Sequence, residues 1–93
     1  EEKVLDLNVR FLVQIGILED NPTDQKFNLL NKDLIKEKVG PTLYQYFAGS
    51  FKTLNKAKER LKQVQDIGFK DAFILARKDG DRISVVEAEK ILK

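Results

Sequence analysis

The chain has 93 residues, 17 of them Lys or Arg and 15 Asp or Glu, so its formal net charge at pH 7 is +2. It contains no Cys and no His, which excludes disulfide scaffolds, Cys/His zinc sites, thiol nucleophiles and triads with an imidazole base. Hydrophobic residues make up 42% and charged residues 34%, and no apolar run approaches the roughly 18 residues of a membrane helix. These values predict one soluble globular domain.

The first half of the chain reads as three strands. After a charged tail or short extra strand at 1–8, apolar alternation predicts a strand over 9–17. A turn cluster at 19–24 ends it, and residues 25–33 hold one or two helical turns. A second strand runs over about 34–39, and a third over 43–51. In the first strand, the alternation separates a face to be buried (Phe11, Val13, Ile15, Ile17) from an opposite face (Arg10, Leu12, Gln14, Gly16).

The first and third strands repeat one pattern. Residues 11–18 match residues 44–51 position by position, with an offset of 33 residues from Gly16 to Gly49. We interpret the two strands as halves of one architecture that lie at the centre of the sheet.

The second half begins with a helix between an N-cap at Thr53 and a C-cap at Gly68. A strand over 71–77 follows, and the Asp-Gly pair at 79–80 predicts a hairpin turn. The capping box at 84–87 opens a short terminal helix.

The order of these elements predicts an α+β fold, a two-layer sandwich of ferredoxin-like type (βαββαβ). It has a shortened first helix and a C-terminal hairpin plus short helix. Residues 9–77 form the main domain, and residues 78–93 extend it.

Catalysis is not indicated. Without His or Cys only paired carboxylates remain, and none lies in a context that would raise the pKa of one member. Asp79-Gly80-Asp81 lacks the ligand series of a calcium loop, and the chain has no phosphate-binding glycine loop. We therefore predict no enzyme activity, no metal and no cofactor.

The sheet face opposite the buried residues is the candidate binding surface. The repeat places Gln14 and Gln45 on this face with Leu12 and Phe47 near them. Amides and an exposed aromatic ring suit the hydroxyls, acetamido groups and apolar ring faces of a sugar chain. In the alternative interpretation, Phe47 and Leu12 form a satellite core beneath the terminal helix, and both glutamines are merely solvated.

The chain resembles the SPOR (sporulation-related repeat) domain of bacterial cell-envelope proteins. That family has two glycine-ended strands, matched here by FLVQIG at 11–16 and YQYFAGSF at 44–51. The Ala-containing helix turn at 56–61 and the Gly plus apolar strand at 68–75 are also similar. The third strand departs from the family pattern at Gln45, where Arg is common, and at Ser50, where Pro is common.

The resemblance implies a non-catalytic module that binds peptidoglycan glycan strands stripped of stem peptides and directs a larger envelope protein to the wall or septum. The implied location is the cell envelope or periplasm, with membrane attachment only through an anchor outside this chain, and a monomer is favoured. The matching glycan-site positions are Gln14, Gln45 and Phe47. Arg10 and Leu12 are added only because the alternation in the first strand places them on the same face as Gln14.

Two other functions stay open. An RNA-binding domain of the same topology would stack bases on aromatic residues of the central strands, but the near-neutral charge and the absence of a Lys/Arg-Gly-Phe-type motif argue against nucleic acid. A protein-interaction or assembly domain would use the apolar open face or an edge strand.

Overall fold

In the part of the chain that the structure describes, the alternating apolar segments form one antiparallel sheet, and the amphipathic segments form two helices. The computed structural model describes residues 8–19, 29–30 and 33–92. The elements are β1 (Val9–Glu19), β2 (Leu34–Lys38), β3 (Leu43–Phe51), α1 (Leu54–Ile67), β4 (Phe73–Lys78), β5 (Asp81–Ile83) and α2 (Val85–Leu92). The predicted strands, hairpin and two later helices are therefore confirmed, with small differences in their bounds.

Two sequence predictions fall largely on residues outside this description. The tail at 1–8 is described only at Asn8, which lies just before β1. The helical turns at 25–33 are described only at 29–30, which form a short 3₁₀ turn, and at Asp33. Leu30 of that turn is fully buried in the core.

The sheet has five strands in the order β2-β3-β1-β4-β5, and every neighbouring pair is antiparallel. β1 is the middle strand and β3 lies beside it, as the repeat predicted. Over residues 8–19, 29–30 and 33–92 the chain is thus an α+β protein with a five-stranded sheet and two helices.

Both helices begin at a capping residue, and α1 also ends at one. In α1, the Lys56 amide donates to Thr53 Oγ1 at 3.3 Å, and Gly68 ends the helix with a φ of 135°, a conformation that glycine adopts without strain. The Glu87 amide donates to Ser84 Oγ at 3.0 Å and caps α2. The polar side chains at these ends satisfy amides that have no partner within the helix.

The main core lies between the helices and one face of the sheet. Ala57 and Val64 of α1 and Ala88 of α2 pack in the same cluster as Phe11 and Val13 of β1. Both helices therefore cover a single face. Of the C-terminal extension, α2 joins the helix layer and β5 adds an edge strand to the sheet.

Pairing between β1 and β3 is irregular at two places. From Leu12 to Gln14 the partner changes from Ser50 to Phe47, so β3 carries an extra residue there. From Gln14 to Ile17 the partner changes from Phe47 to Gln45, so β1 carries the extra residue. The second bulge places Ile17 on the Gln45 face, because directly paired residues point to the same side. Ile17 is 51% exposed, so its predicted burial is wrong.

The two glycines of the repeat are not equivalent. Gly49 lies in the β3 bulge with a φ of 97°, and a Cβ there would stand 2.6 Å from Phe51 Cζ and 3.0 Å from Asp33 Oδ2. Gly16 is not among the positive-φ residues, and a Cβ on it would meet only the Leu18 side chain at 3.8 Å. Of these two positions, only 49 has a backbone conformation that requires glycine.

This difference gives a paired prediction. We expect Gly49→Ala to lower the free energy of unfolding by at least about 2 kcal/mol, because a left-handed conformation and a steric overlap act together. Gly16→Ala is the matched control, with an expected change of about 0.5 kcal/mol or less. Urea unfolding of the two variants measures both values, and equal destabilisation would contradict the assignment of the bulge.

Candidate functional site

The helix-free face is the side of the sheet that points away from α1 and α2. Residues paired directly across antiparallel strands share a face, so the pairing register identifies its members. The pairs that form its central part are Arg10 with Arg77, Leu12 with Leu75, Gln14 with Phe47, Phe47 with Ile35, and Gln45 with Glu37. The five residues predicted from the sequence all lie on this face.

The helix-free face has a small core of its own. Leu12, Phe47 and Leu75 are buried there, with Ile35 packed against them, and Phe47 is 0% exposed. The prediction that Phe47 offers an exposed aromatic platform is therefore wrong. The satellite core that was the alternative does form, but α2 lies on the opposite side of the sheet and does not cover it.

The two glutamines form a hydrogen-bonded pair. Gln45 Nε2 donates to Gln14 Oε1 at 2.6 Å, and the pair is partly buried. An amide has two N–H donors and an acceptor oxygen with two lone pairs, so this bond uses only part of the capacity of each side chain. The glutamines are thus oriented by one another, unlike the merely solvated pair of the alternative interpretation.

An ion pair that the sequence did not reveal crosses the same face. Arg77 Nη1 donates to Glu37 Oε2 and Arg77 Nη2 to Glu37 Oε1, each at 2.8 Å. The pair links β4 to β2, which are separated in the sheet by β1 and β3. The Arg77 guanidinium also lies 5.0 Å from the centroid of the Phe47 ring, within the range of a cation–π contact. It therefore covers the small core while holding the carboxylate.

The ion pair changes the pKa of both partners. The hydrogen bonds from Arg77, helped by its charge, hold the pKa of Glu37 below the ordinary value of 4.5, although partial burial acts in the opposite direction. The hydrogen bonds from Glu37 likewise raise the already high pKa of Arg77. Both groups are therefore charged at neutral pH.

Three arginines stand side by side on this face. Arg10 of β1 pairs with Arg77 of β4, and Arg77 pairs with Arg82 of β5. Like charges directly opposite one another in a sheet repel, and the Glu37 carboxylate offsets part of this repulsion at Arg77. We name these three residues the arginine row.

A shallow pocket of about 230 Å³ lies at the arginine row. Its charged lining is Arg10, Arg77 and Glu37, and its apolar lining is Leu12 and Ile35, with Asn8, Ser50 and Gly80 completing it. Arg10 is half-buried, and its Nη1 donates to the Val9 carbonyl oxygen at 2.8 Å. The pocket combines cationic, carboxylate, hydroxyl and amide groups with apolar surface from Leu12 and Ile35.

The sequence analysis identified Arg10 and Leu12 as site residues, but it missed Glu37 and Arg77, the other charged residues that line the pocket. Residue 77 follows Phe73 and Leu75 in the period of a strand, which was the available signal that it shares their face. Nothing in the sequence places Arg77 opposite Arg10, because register depends on the pairing of β1 with β4.

Other kinds of site find no support in the part of the chain that the structure describes. Residues 8–19, 29–30 and 33–92 contain no group of three or more metal-binding side chains. No helix among them is both long and apolar enough to cross a membrane.

Comparisons with family models, with curated proteins and with solved structures found no match to this chain.

The burial of Phe47 predicts a large effect on stability. We expect Phe47→Ala to lower the free energy of unfolding by about 3–5 kcal/mol, because it leaves a cavity in the small core. Phe73→Ala on the same face is the control, since Phe73 is 42% exposed, and its expected cost is about 1 kcal/mol or less. Chemical unfolding of both variants checks this, and a Phe47→Ala variant as stable as Phe73→Ala would contradict the second core.

The ion pair predicts a pH-dependent contribution to stability. Because the folded-state pKa of Glu37 is lowered from 4.5, the stabilisation is fully present above that value and is lost as the pH falls through the folded-state pKa. We expect Glu37→Gln to cost up to about 1 kcal/mol at neutral pH, the upper end for a partly exposed pair.

Urea unfolding at neutral pH and near pH 3 measures this dependence. The difference between the parent protein and Glu37→Gln should be smaller at the acidic pH. Glu59→Gln, on the exposed side of α1, is the control for the loss of one carboxylate. A Glu37→Gln difference that is the same at both pH values would contradict the assigned contribution.

Proposed function

We propose that this chain is a non-catalytic peptidoglycan-binding module. It binds glycan strands with the helix-free face of its sheet and directs a larger envelope protein to the cell wall or septum. In this proposal the fold is the ferredoxin-like sandwich (βαββαβ) of the SPOR domain, extended by β5 and α2.

The strand arrangement supports this fold. The order β2-β3-β1-β4 with all neighbours antiparallel, together with a helix between β3 and β4, fits a split pair of β-α-β units. The two glycine-ended strands that carry the SPOR resemblance are direct neighbours in the sheet. The remaining requirement is a helical connection between β1 and β2, of which residues 29–30 form a 3₁₀ turn.

One observation carries the functional proposal: oriented amides and guanidinium groups lie together on a sheet face that neither helix covers. The Gln14–Gln45 pair presents donors and acceptors for hydroxyl and acetamido groups. The pocket at the arginine row adds cations and apolar surface from Leu12 and Ile35. The terminal helix α2, which the sequence left as a possible cover, packs against the opposite face through Ala88.

The burial of Phe47 argues against RNA binding through that ring, although Phe73 of β4 is 42% exposed on the same face. Recognition of single-stranded RNA on such a sheet uses exposed aromatic rings that stack on bases. Phe47, the aromatic residue on the central strand β3 of this face, is fully buried beneath the Arg77 guanidinium. A polar glycan that rests on amides and guanidinium groups does not need that ring.

The test is co-sedimentation with purified peptidoglycan sacculi, either untreated or stripped of stem peptides by an amidase. We expect the parent protein to pellet with the stripped sacculi in moderate salt. Ser50→Trp should reduce pelleting about tenfold or more, because an indole side chain fills a pocket of about 230 Å³ and displaces the ligand.

Thr42→Trp is the matched control, since Thr42 is also small, polar and exposed but lies in the turn between β2 and β3. It should pellet like the parent. If the parent protein pellets with neither preparation, the proposed function is wrong. If Ser50→Trp pellets as well as Thr42→Trp, the glycan does not occupy the pocket.

A further inference from the structure

We propose that Arg77 binds a carboxylate of the glycan and that Glu37 occupies this position in the free protein as an internal competitor. This inference rests on the proposed function, and it adds the chemical group that the face recognises and the residue that limits its affinity.

The geometry of the ion pair matches that of a ligand site. Both Nη atoms of Arg77 bind both oxygens of one carboxylate at 2.8 Å, which is the two-point pairing by which arginine recognises carboxylates generally. A carboxylate on a ligand presents the same two oxygens with the same spacing. It can therefore replace the Glu37 group while Arg77 keeps its hydrogen bonds.

Glu37 is the more exposed partner of the pair. Its side chain is 41% exposed, whereas that of Arg77 is 22% exposed. The Arg77 guanidinium is held against the Phe47 ring at 5.0 Å. When the pair opens, the Glu37 carboxylate moves into water, and Arg77 stays in position for the incoming group.

The charge around the pocket favours an anionic ligand. Two arginines and one acidic residue, Glu37, line it, and Arg82 extends the row as the cross-strand partner of Arg77. Once Glu37 withdraws, the charged lining of the pocket consists of Arg10 and Arg77. A bound anion would then relieve the repulsion between paired arginines.

A glycan strand without stem peptides carries this chemistry. Amidase cleavage of each stem peptide leaves a free carboxylate on the sugar residue that bore it. A polymer of N-acetylglucosamine has the same acetamido and hydroxyl groups but no carboxylate. The two polymers therefore separate recognition of the carboxylate from recognition of the sugar.

The experiment compares the affinities of four proteins for these two probes. Soluble amidase-treated glycan strands and a chitin hexasaccharide are titrated into the parent protein, Glu37→Gln, Glu59→Gln and Arg77→Lys, and thermal melting confirms that all four are folded. Glutamine retains the shape of glutamate and still accepts a hydrogen bond from Arg77, so the cover over Phe47 remains. Glu59→Gln makes the same change in net charge on the exposed side of α1.

We expect Glu37→Gln to bind the stripped glycan strands about fivefold more tightly than the parent protein, the factor that corresponds to loss of a competing, partly exposed ion pair. Its affinity for the chitin hexasaccharide should not change, and Glu59→Gln should bind both probes like the parent. Arg77→Lys, which keeps the charge but loses the two-point geometry, should bind the stripped strands more weakly.

Several results would overturn the inference. If the parent binds the stripped strands and Glu37→Gln binds them equally or more weakly, Glu37 is not a competitor, although the proposed function survives. An equal gain for the chitin hexasaccharide would remove the role of the carboxylate. If neither the parent nor Glu37→Gln binds either probe, the proposed function fails, and the inference fails with it. Tight, strongly salt-dependent binding of single-stranded RNA in place of glycan would reject both.

Discussion

β1 is hydrogen-bonded along both of its edges, to β3 on one side and to β4 on the other, and this double pairing determines what both faces of the sheet contain. Phe11 and Val13 reach the helix layer, while Leu12 reaches the small core of the helix-free face. The same pairing with β4 sets Arg10 beside Arg77. A shift of one residue in this register would exchange the two faces and remove both the main core and the candidate site.

The two faces are covered by different means. α1 and α2 cover one face with apolar side chains, and the Glu37–Arg77 pair crosses the other over Phe47. A cover made by an ion pair differs from a cover made by a helix, because its stability depends on one carboxylate that water or another anion can replace. This property connects packing to the proposed function: the pair that protects the small core also holds an arginine in the geometry that binds carboxylates.

Local signals in the sequence predicted the elements well, because each depends on nearby residues. The helix caps at Thr53 and Gly68 and the hairpin turn at 79–80 depend only on residues a few positions away in the sequence. Alternation identified Leu12 and Gln14 as neighbours on one face of the sheet. The two bulges were not predictable, since they arise from how β1 and β3 fit together. Because of the second bulge, Ile17 lies on the helix-free face and not on the buried face that simple alternation predicts. The alternative interpretation buried Phe47, but beneath the terminal helix. Its actual cover could not be predicted, because it comes from Arg77, 30 residues later in the chain.

The most direct test of a glycan site on the helix-free face is a side-chain NMR titration with soluble, amidase-treated glycan strands, observing the Nε–H groups of arginine and the amide groups of glutamine. We predict that the signals of Arg10, Arg77, Gln14 and Gln45 shift as the glycan is added. The signals of Arg60 and Gln63, which hydrogen-bond to one another on α1, should stay in place. Shifts confined to α1 and α2, or no shifts at saturating glycan, would contradict a glycan site on the helix-free face.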